Sequence, residues 1–213
     1  MKVKLNLYIF LFLIVFILTK QIDIYVLTMA FALIHELTHL ICGVFFGFKP
    51  DTLIIMPFGF SIEFQVEVED YNKKVLKSNI ISLKKIIIAL AGPLINLLIV
   101  ILGVILNINN NIIYSNFLLF MFNLIPIEPL DGGRILKNLL KIFCGNRNAN
   151  KYMNVITNVL LVILTMTSSV LILIYKNISI LIILIILWGL IIRENKKYFT
   201  YNKIYKIIDK TYN

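Results

Sequence analysis

The feature that most restricts this chain is a series of long, mostly apolar runs, three of them free of Lys, Arg, Asp and Glu. They cover residues 5–18, 24–48, 80–106, 112–142, 155–175 and 178–192. A hydrocarbon layer about 30 Å thick is crossed by about 20 mostly apolar residues in a helix. Hydrophobic residues make up 60% of the 213-residue chain and charged residues 15%, with mean hydropathy +0.90. Soluble domains sit near 45–50% and about 25%. With 9 Gly, 5 Pro and 2 Cys, the chain is neither collagen-like nor a disulfide scaffold. The expected fold is an all-α polytopic membrane protein of about six transmembrane helices in residues 1–193, with its core in 24–143. A short basic tail, 194–213, follows. Residues 5–18 have a basic start but no small-residue cleavage site, so they read as a retained span rather than a signal peptide.

Charge sets the expected direction. Nineteen of the 21 Lys and Arg fall in the N-terminus, residues 49–85, residues 134–151 and residues 193–213. Six spans place these four regions on one side, and the positive-inside rule makes that side cytoplasmic, with both termini. The net charge of +10 is thus mostly topogenic. No soluble domain is left to carry a nucleic-acid-binding face, so nucleic acid is not an expected partner. In the tail, positions 201, 204, 205 and 208 share one helical face, which suits either a helix on the anionic leaflet or a frayed anchor. Cys42 and Cys144 have no CxxC spacing and read as packing residues.

Ionisable groups inside a span are costly and point to function. The second run contains His35-Glu36-Leu37-Thr38-His39, an HExxH motif. His35 and His39 lie one turn apart and can share a metal ion, while Glu36 beside them can take a proton from a metal-bound water. These are the chain's only histidines. A tetrahedral zinc site then needs a third protein ligand, which here would be a carboxylate. Asp131 stands out, because Pro126 and Pro129 before it and Gly132-Gly133 after it break the fourth run. An ion pair with Arg134 is the other role open to it, and Glu128 is a weaker ligand candidate. Residues 52–55 and 61–68 have β-rich composition around Pro57-Phe58-Gly59 and resemble a hairpin. Its exposed edge could hold an unwound substrate as an added strand; a plain connecting loop is the alternative. A metal transporter is the competing function, although transporters scatter polar ligands over several spans.

The segment Asn123-Leu124-Ile125-Pro126-Ile127-Glu128-Pro129-Leu130-Asp131-Gly132-Gly133-Arg134 resembles the second motif of the site-2 protease family of intramembrane zinc metalloproteases, and HELTH resembles its first. Ala91-Gly92-Pro93-Leu94-Ile95-Asn96 is similar to the family's AGPxxN, and Met56-Pro57-Phe58-Gly59 to a loop of its sporulation branch. The resemblance covers about residues 24–143. It implies that His35, His39 and Asp131 bind Zn2+ and that Glu36 is the general base. It implies that Asn123 donates to the substrate carbonyl or oxyanion, a helix cap being the alternative. Phe58, Gly59, Phe60 and Asn96 become substrate-side candidates, Asn96 equally a packing residue beside the metal helix, and Gly92-Pro93 a close-packing kink. Thr38 stands where the family often has Gly. No PDZ or CBS domain is expected. The implied partners are the lipid bilayer, a membrane-tethered or transmembrane protein substrate such as a sigma-factor precursor, and membrane inhibitor proteins. An inactive scaffold is disfavoured by the intact His, Glu, His, Asn and Asp set.

Overall fold

The computed structural model describes residues 2–5, 8–18, 20, 22–56, 59–65, 75–175 and 179–212. The chain divides into two compact units, Met1–Leu124 and Ile125–Asn213.

The first unit runs β1 (Lys2–Leu5), α1 (Tyr8–Leu18), α2 (Ile22–Phe45), β2 (Pro50–Met56), β3 (Gly59–Phe64), α3 (Val75–Ile105) and α4 (Asn110–Asn123). Two helix ends show how the sequence stops an apolar run. At the end of α2, Gly47 takes φ 85°. Its N–H donates to Val44 O at 2.9 Å and that of Phe48 to Gly43 O at 3.0 Å, closing a Schellman motif. Lys84 of α3 donates to the Phe46 carbonyl at 3.3 Å and covers the same end. At the end of α3, Asn107 takes φ 50°, and Ile108 N–H reaches Gly103 O at 2.9 Å in the same pattern. Asn tolerates this left-handed conformation better than most residues.

α2 is inverted relative to a soluble helix. His35, Glu36 and His39 are 5%, 6% and 2% exposed, whereas Ile34, Leu37 and Ile41 are 41%, 45% and 67% exposed. Polar groups turn inward and aliphatic groups outward, which fits hydrocarbon as the solvent. The sheet has order β1-β2-β3. β2 pairs antiparallel with β3, from Met56 opposite Gly59 to Pro50 opposite Phe64, with a register shift between Pro50 and Thr52. This is the expected hairpin; residues 66–68 of its expected second strand lie outside the described residues. The sequence reading did not anticipate β1, which pairs parallel with β2, Lys2 opposite Thr52 through Leu5 opposite Ile55.

The second unit holds α5 (Asp131–Tyr175) and α6 (Ser179–Tyr212). Residues 134–151 were expected as a connection. They are helical, but in two helices that meet at a kink at Gly145, whose φ 75° and ψ 164° are not helical; the second runs on into the following span. Their charges sit on helix rather than in a loop. α6 likewise carries the basic tail as a continuation of its helix, not as a separate surface helix. An amide ladder joins α5 to α6: Asn154 Nδ2 donates to Asn195 Oδ1 at 2.6 Å, and Asn195 Nδ2 donates to Asn158 Oδ1 at 2.9 Å.

Three helices among the described residues are long and apolar enough to cross a membrane: Ile22–Phe45, Asn79–Ile105 and Asp131–Val170. α1 and α4 have 11 and 14 residues, about 16 Å and 21 Å at 1.5 Å each, and fall short of a full crossing by that measure. The molecule is mostly helical with a small three-stranded sheet, and three of the six expected spans are evident among the described residues.

Candidate metal centre

The histidine pair is built on α2 and oriented from outside it. His39 Nδ1–H donates to the carbonyl oxygen of Ile88 on α3 at 2.6 Å. His35 Nδ1 lies 2.9 Å from the Asn96 carboxamide, also on α3. With both Nδ1 atoms engaged, the two Nε2 atoms face each other at 3.1 Å. If each Nδ1 carries the proton, two lone pairs oppose one another in a buried space. A cation between them relieves that repulsion, so the donor set fits a metal. Asn96 sharpens the point. As placed, its Nδ2 faces His35, and its Oδ1 is buried with no hydrogen-bond partner among the described residues. Turning the amide by half a revolution gives that oxygen the Nδ1–H of His35, the tautomer a ligating Nε2 requires.

α3 makes room for this arrangement at two consecutive residues. A Cβ on Gly92 would collide with Nε2 of both His35 and His39. Pro93 follows inside the helix. It has no N–H, so the carbonyl of Ala89 loses its intrahelical donor beside the Ile88 carbonyl that His39 uses. The expected close-packing kink is therefore also the cradle of the imidazoles.

Glu36 sits on the same turn. Its Oε1 accepts the backbone N–H of Ile62 on β3. Three contacts fix how β3 lies along α2: Gly59 faces Ala32, Ile62 meets Glu36, and the Phe64 ring fills the space a Cβ on Gly43 would need. Eleven helical residues and five strand residues both span about 16 Å, so the strand tracks the polar face for its whole length. Ile62 pairs with Leu53 on one side, and its N–H points from the opposite edge toward Glu36. Thr52 Oγ1 donates to Glu63 Oε2 at 2.8 Å and ties the two strands together. Thr38 is half-buried and donates back to Ile34 O at 2.8 Å.

The first unit thus brings together His35, His39, Glu36 and Asn96, with Gly59 and Phe60 on the adjoining strand. Asn96, on α3, is buried against the metal helix α2 rather than on an open face. Phe58 lies outside the described residues. Asn123 is half-buried at the last position of α4. The sequence reading missed the Ile88 carbonyl and the Ile62 N–H, because backbone groups carry no residue-type signal; the role of Gly92 had a signal in the Gly-Pro pair.

In the second unit, Asp131 is 4% exposed and opens α5, where a carboxylate suits the helix N-terminus. Leu130 N–H donates to Ile127 O at 2.8 Å and Arg134 N–H to Leu130 O at 3.0 Å. The Glu128–Pro129 peptide is cis. A Cβ on Gly133 would strike the Ile127–Glu128 backbone, so glycine there lets the turn close under the helix start. The anticipated Arg134 pair is present at 3.5 Å, between Nη1 and Asp131 Oδ1. The guanidinium side is 39% exposed and the carboxylate side 6%. Glu128 is engaged by Lys137 at 2.7 Å, which makes it a poorer ligand candidate.

The family model described as Peptidase family M50 matches residues 103–167. Stage IV sporulation protein FB of Bacillus subtilis (strain 168) is 31% identical over 128 residues, covering 56% of this chain and 41% of that protein. The match therefore spans less than half of the curated relative's length. The solved structure of a site-2 protease from Methanocaldococcus jannaschii superposes with TM-score 0.66 at 24% identity, covering 90% of this chain and 89% of that one. At that identity the likeness is one of fold.

Proposed function

We propose, from the premise that the chain belongs to the site-2 protease family, that it is an intramembrane zinc metalloendopeptidase. The observation that carries the reading is the buried turn of α2, on which two Nε2 atoms converge beside a carboxylate held by a strand edge. His35, His39 and Asp131 are proposed as the metal ligands: all three are buried, and each offers one ligand atom. A bound zinc ion supplies Lewis-acid polarisation of the scissile carbonyl and makes water acidic enough to lose a proton near neutral pH.

The chain's own residues do the rest. Ile88 O and Asn96 hold the imidazole tautomers that leave both Nε2 atoms free to ligate. Glu36 takes the proton of the attacking water at its carboxylate and passes it to the leaving amide nitrogen. Asn123 donates an amide N–H to the developing oxyanion. β3 is the edge strand of the sheet, and its outward N–H at Ile62 already addresses Glu36. A substrate segment added there as an extended strand would have its peptide bonds unwound and beside the base. The substrate class is a membrane-tethered or single-span protein. Residues 134–151 and the tail are assigned to the cytoplasmic side with both termini, on the positive-inside distribution. A sigma-factor precursor in sporulation is one substrate the Bacillus relative suggests.

The deciding experiment is co-expression with a membrane-tethered reporter substrate. Glu36→Gln should lower cleavage by about 10²–10⁴-fold while the purified protein keeps its zinc. Cleavage at the wild-type rate in that variant would refute the protease reading. Phe60→Pro should also block cleavage with zinc content unchanged; normal processing would remove the strand-addition step and leave the metal assignment standing.

A further inference from the structure

Two neighbouring cavities lie between α5 and α6, both within the second unit. The first, of about 310 Å³, is lined among others by Lys137, Lys197, Glu128, Glu194 and Thr157. The second, of about 270 Å³, is lined by Arg147, Lys151, Asn148 and Asn202. Asn150, Tyr198 and Tyr201 line both, so the cavities adjoin.

Their chemistry differs. In the second, Arg147 and Lys151 are one helical turn apart on α5, opposite two tyrosines three residues apart on α6, and no acidic residue lines it. The lining offers guanidinium, ammonium, phenol and carboxamide donors around one space. Such a lining suits a ligand whose oxygens only accept, and a phosphate group is of that kind. In the first cavity the lysines are neutralised, Lys137 by Glu128 at 2.7 Å and Lys197 by Glu194 at 2.6 Å. Arg134 lines it too and is paired with Asp131 at 3.5 Å; beside these ion pairs stand uncharged hydrogen-bonding groups, Asn154 and Asn195, fixed by the amide ladder, and Thr157.

Thr157 is an independent sign of a ligand. It is 3% exposed, lines the first cavity, and its Oγ1 has no hydrogen-bond partner among the described residues. Thr165, Thr167 and Ser169, further along α5, all donate back to helix carbonyls. Thr157 does not, and a buried hydroxyl left unmatched is costly.

We propose that the cavity pair binds a phosphate ester whose other end bears hydroxyls, the phosphate against Arg147 and Lys151 and the hydroxylated end against Thr157 and Asn154. A membrane lipid headgroup and a soluble sugar or polyol phosphate both have this chemistry, and a titration separates them. The full chain in neutral detergent is titrated calorimetrically with short-chain phosphatidylglycerol, short-chain phosphatidylcholine and glycerol 1-phosphate. Phosphatidylglycerol binding with neither of the others identifies a lipid headgroup; glycerol 1-phosphate binding as tightly identifies a soluble ester. In either case Arg147→Gln/Lys151→Gln should weaken binding by about tenfold or more and Thr157→Val by a few-fold. Lys196→Gln/Lys203→Gln, which removes the same charge outside the cavities, should leave it unchanged. The proposal is overturned if neither phosphate probe binds, if phosphatidylcholine binds equally, or if the control pair weakens binding as much as the cavity pair.

Discussion

The histidine pair and Asp131 are both buried, yet they are held in opposite ways. His35 and His39 depend on α3 and β3, elements at least 20 residues away in sequence, through the Ile88 carbonyl, Asn96, Gly92 and the Ile62 N–H that braces Glu36. Asp131 depends on its own neighbourhood, a turn from Ile127 to Arg134 closed by local hydrogen bonds and a glycine against the backbone. The first arrangement is set by packing between elements and the second by turn chemistry. The metal centre proposed above therefore has two separable points of failure, and variants aimed at each should behave differently.

Gly92→Ala should have the largest effect. Its methyl group must displace both imidazoles, and a misplacement of about 1 Å is worth about 100-fold in rate. Zinc content and cleavage should fall together while the helical circular dichroism is retained. Wild-type zinc content would show that α3 does not confine the pair. Gly133→Ala tests the local side. The new methyl group meets backbone rather than a flexible side chain, so overpacking should cost about 1–3 kcal/mol. Zinc affinity should fall as it does in Asp131→Ala, whereas the Glu36 environment stays intact. If both variants bind zinc normally, the third ligand is not Asp131. Asn96→Leu is the mildest, with about 10–100-fold weaker zinc binding. Asn96→Asp, which keeps an oxygen acceptor for His35, should recover most of it. Equal loss in the Leu and Asp variants would mean that Asn96 acts by volume alone.

Short-range patterns carried the parts of this site that could be read from sequence. HELTH puts two imidazoles on one face whatever surrounds it, and the Pro126 to Gly133 punctuation marks a broken helix around Asp131. Backbone donors and acceptors were not legible, because Ile88 and Ile62 look like any other aliphatic residues until the fold places their C=O and N–H. β1 was invisible for a related reason: four residues form a strand only when β2 is beside them. The polar helix across 134–151 was misread because its charges suggested a connection. Residues 143–148 are all exposed.

The parallel ladder between residues 2–5 and 52–55 also constrains the path of the intervening chain. Backbone hydrogen bonds join groups at one depth, so the polypeptide leaving β1 must come back to the level at which it started before β2 begins. Crossings of the bilayer between these strands can number only zero, two or another even value. That parity holds independently of any hydropathy threshold. It also ties α1 and α2 together: if α2 traverses the membrane in one direction, some other part of residues 6–49 must traverse it in the other.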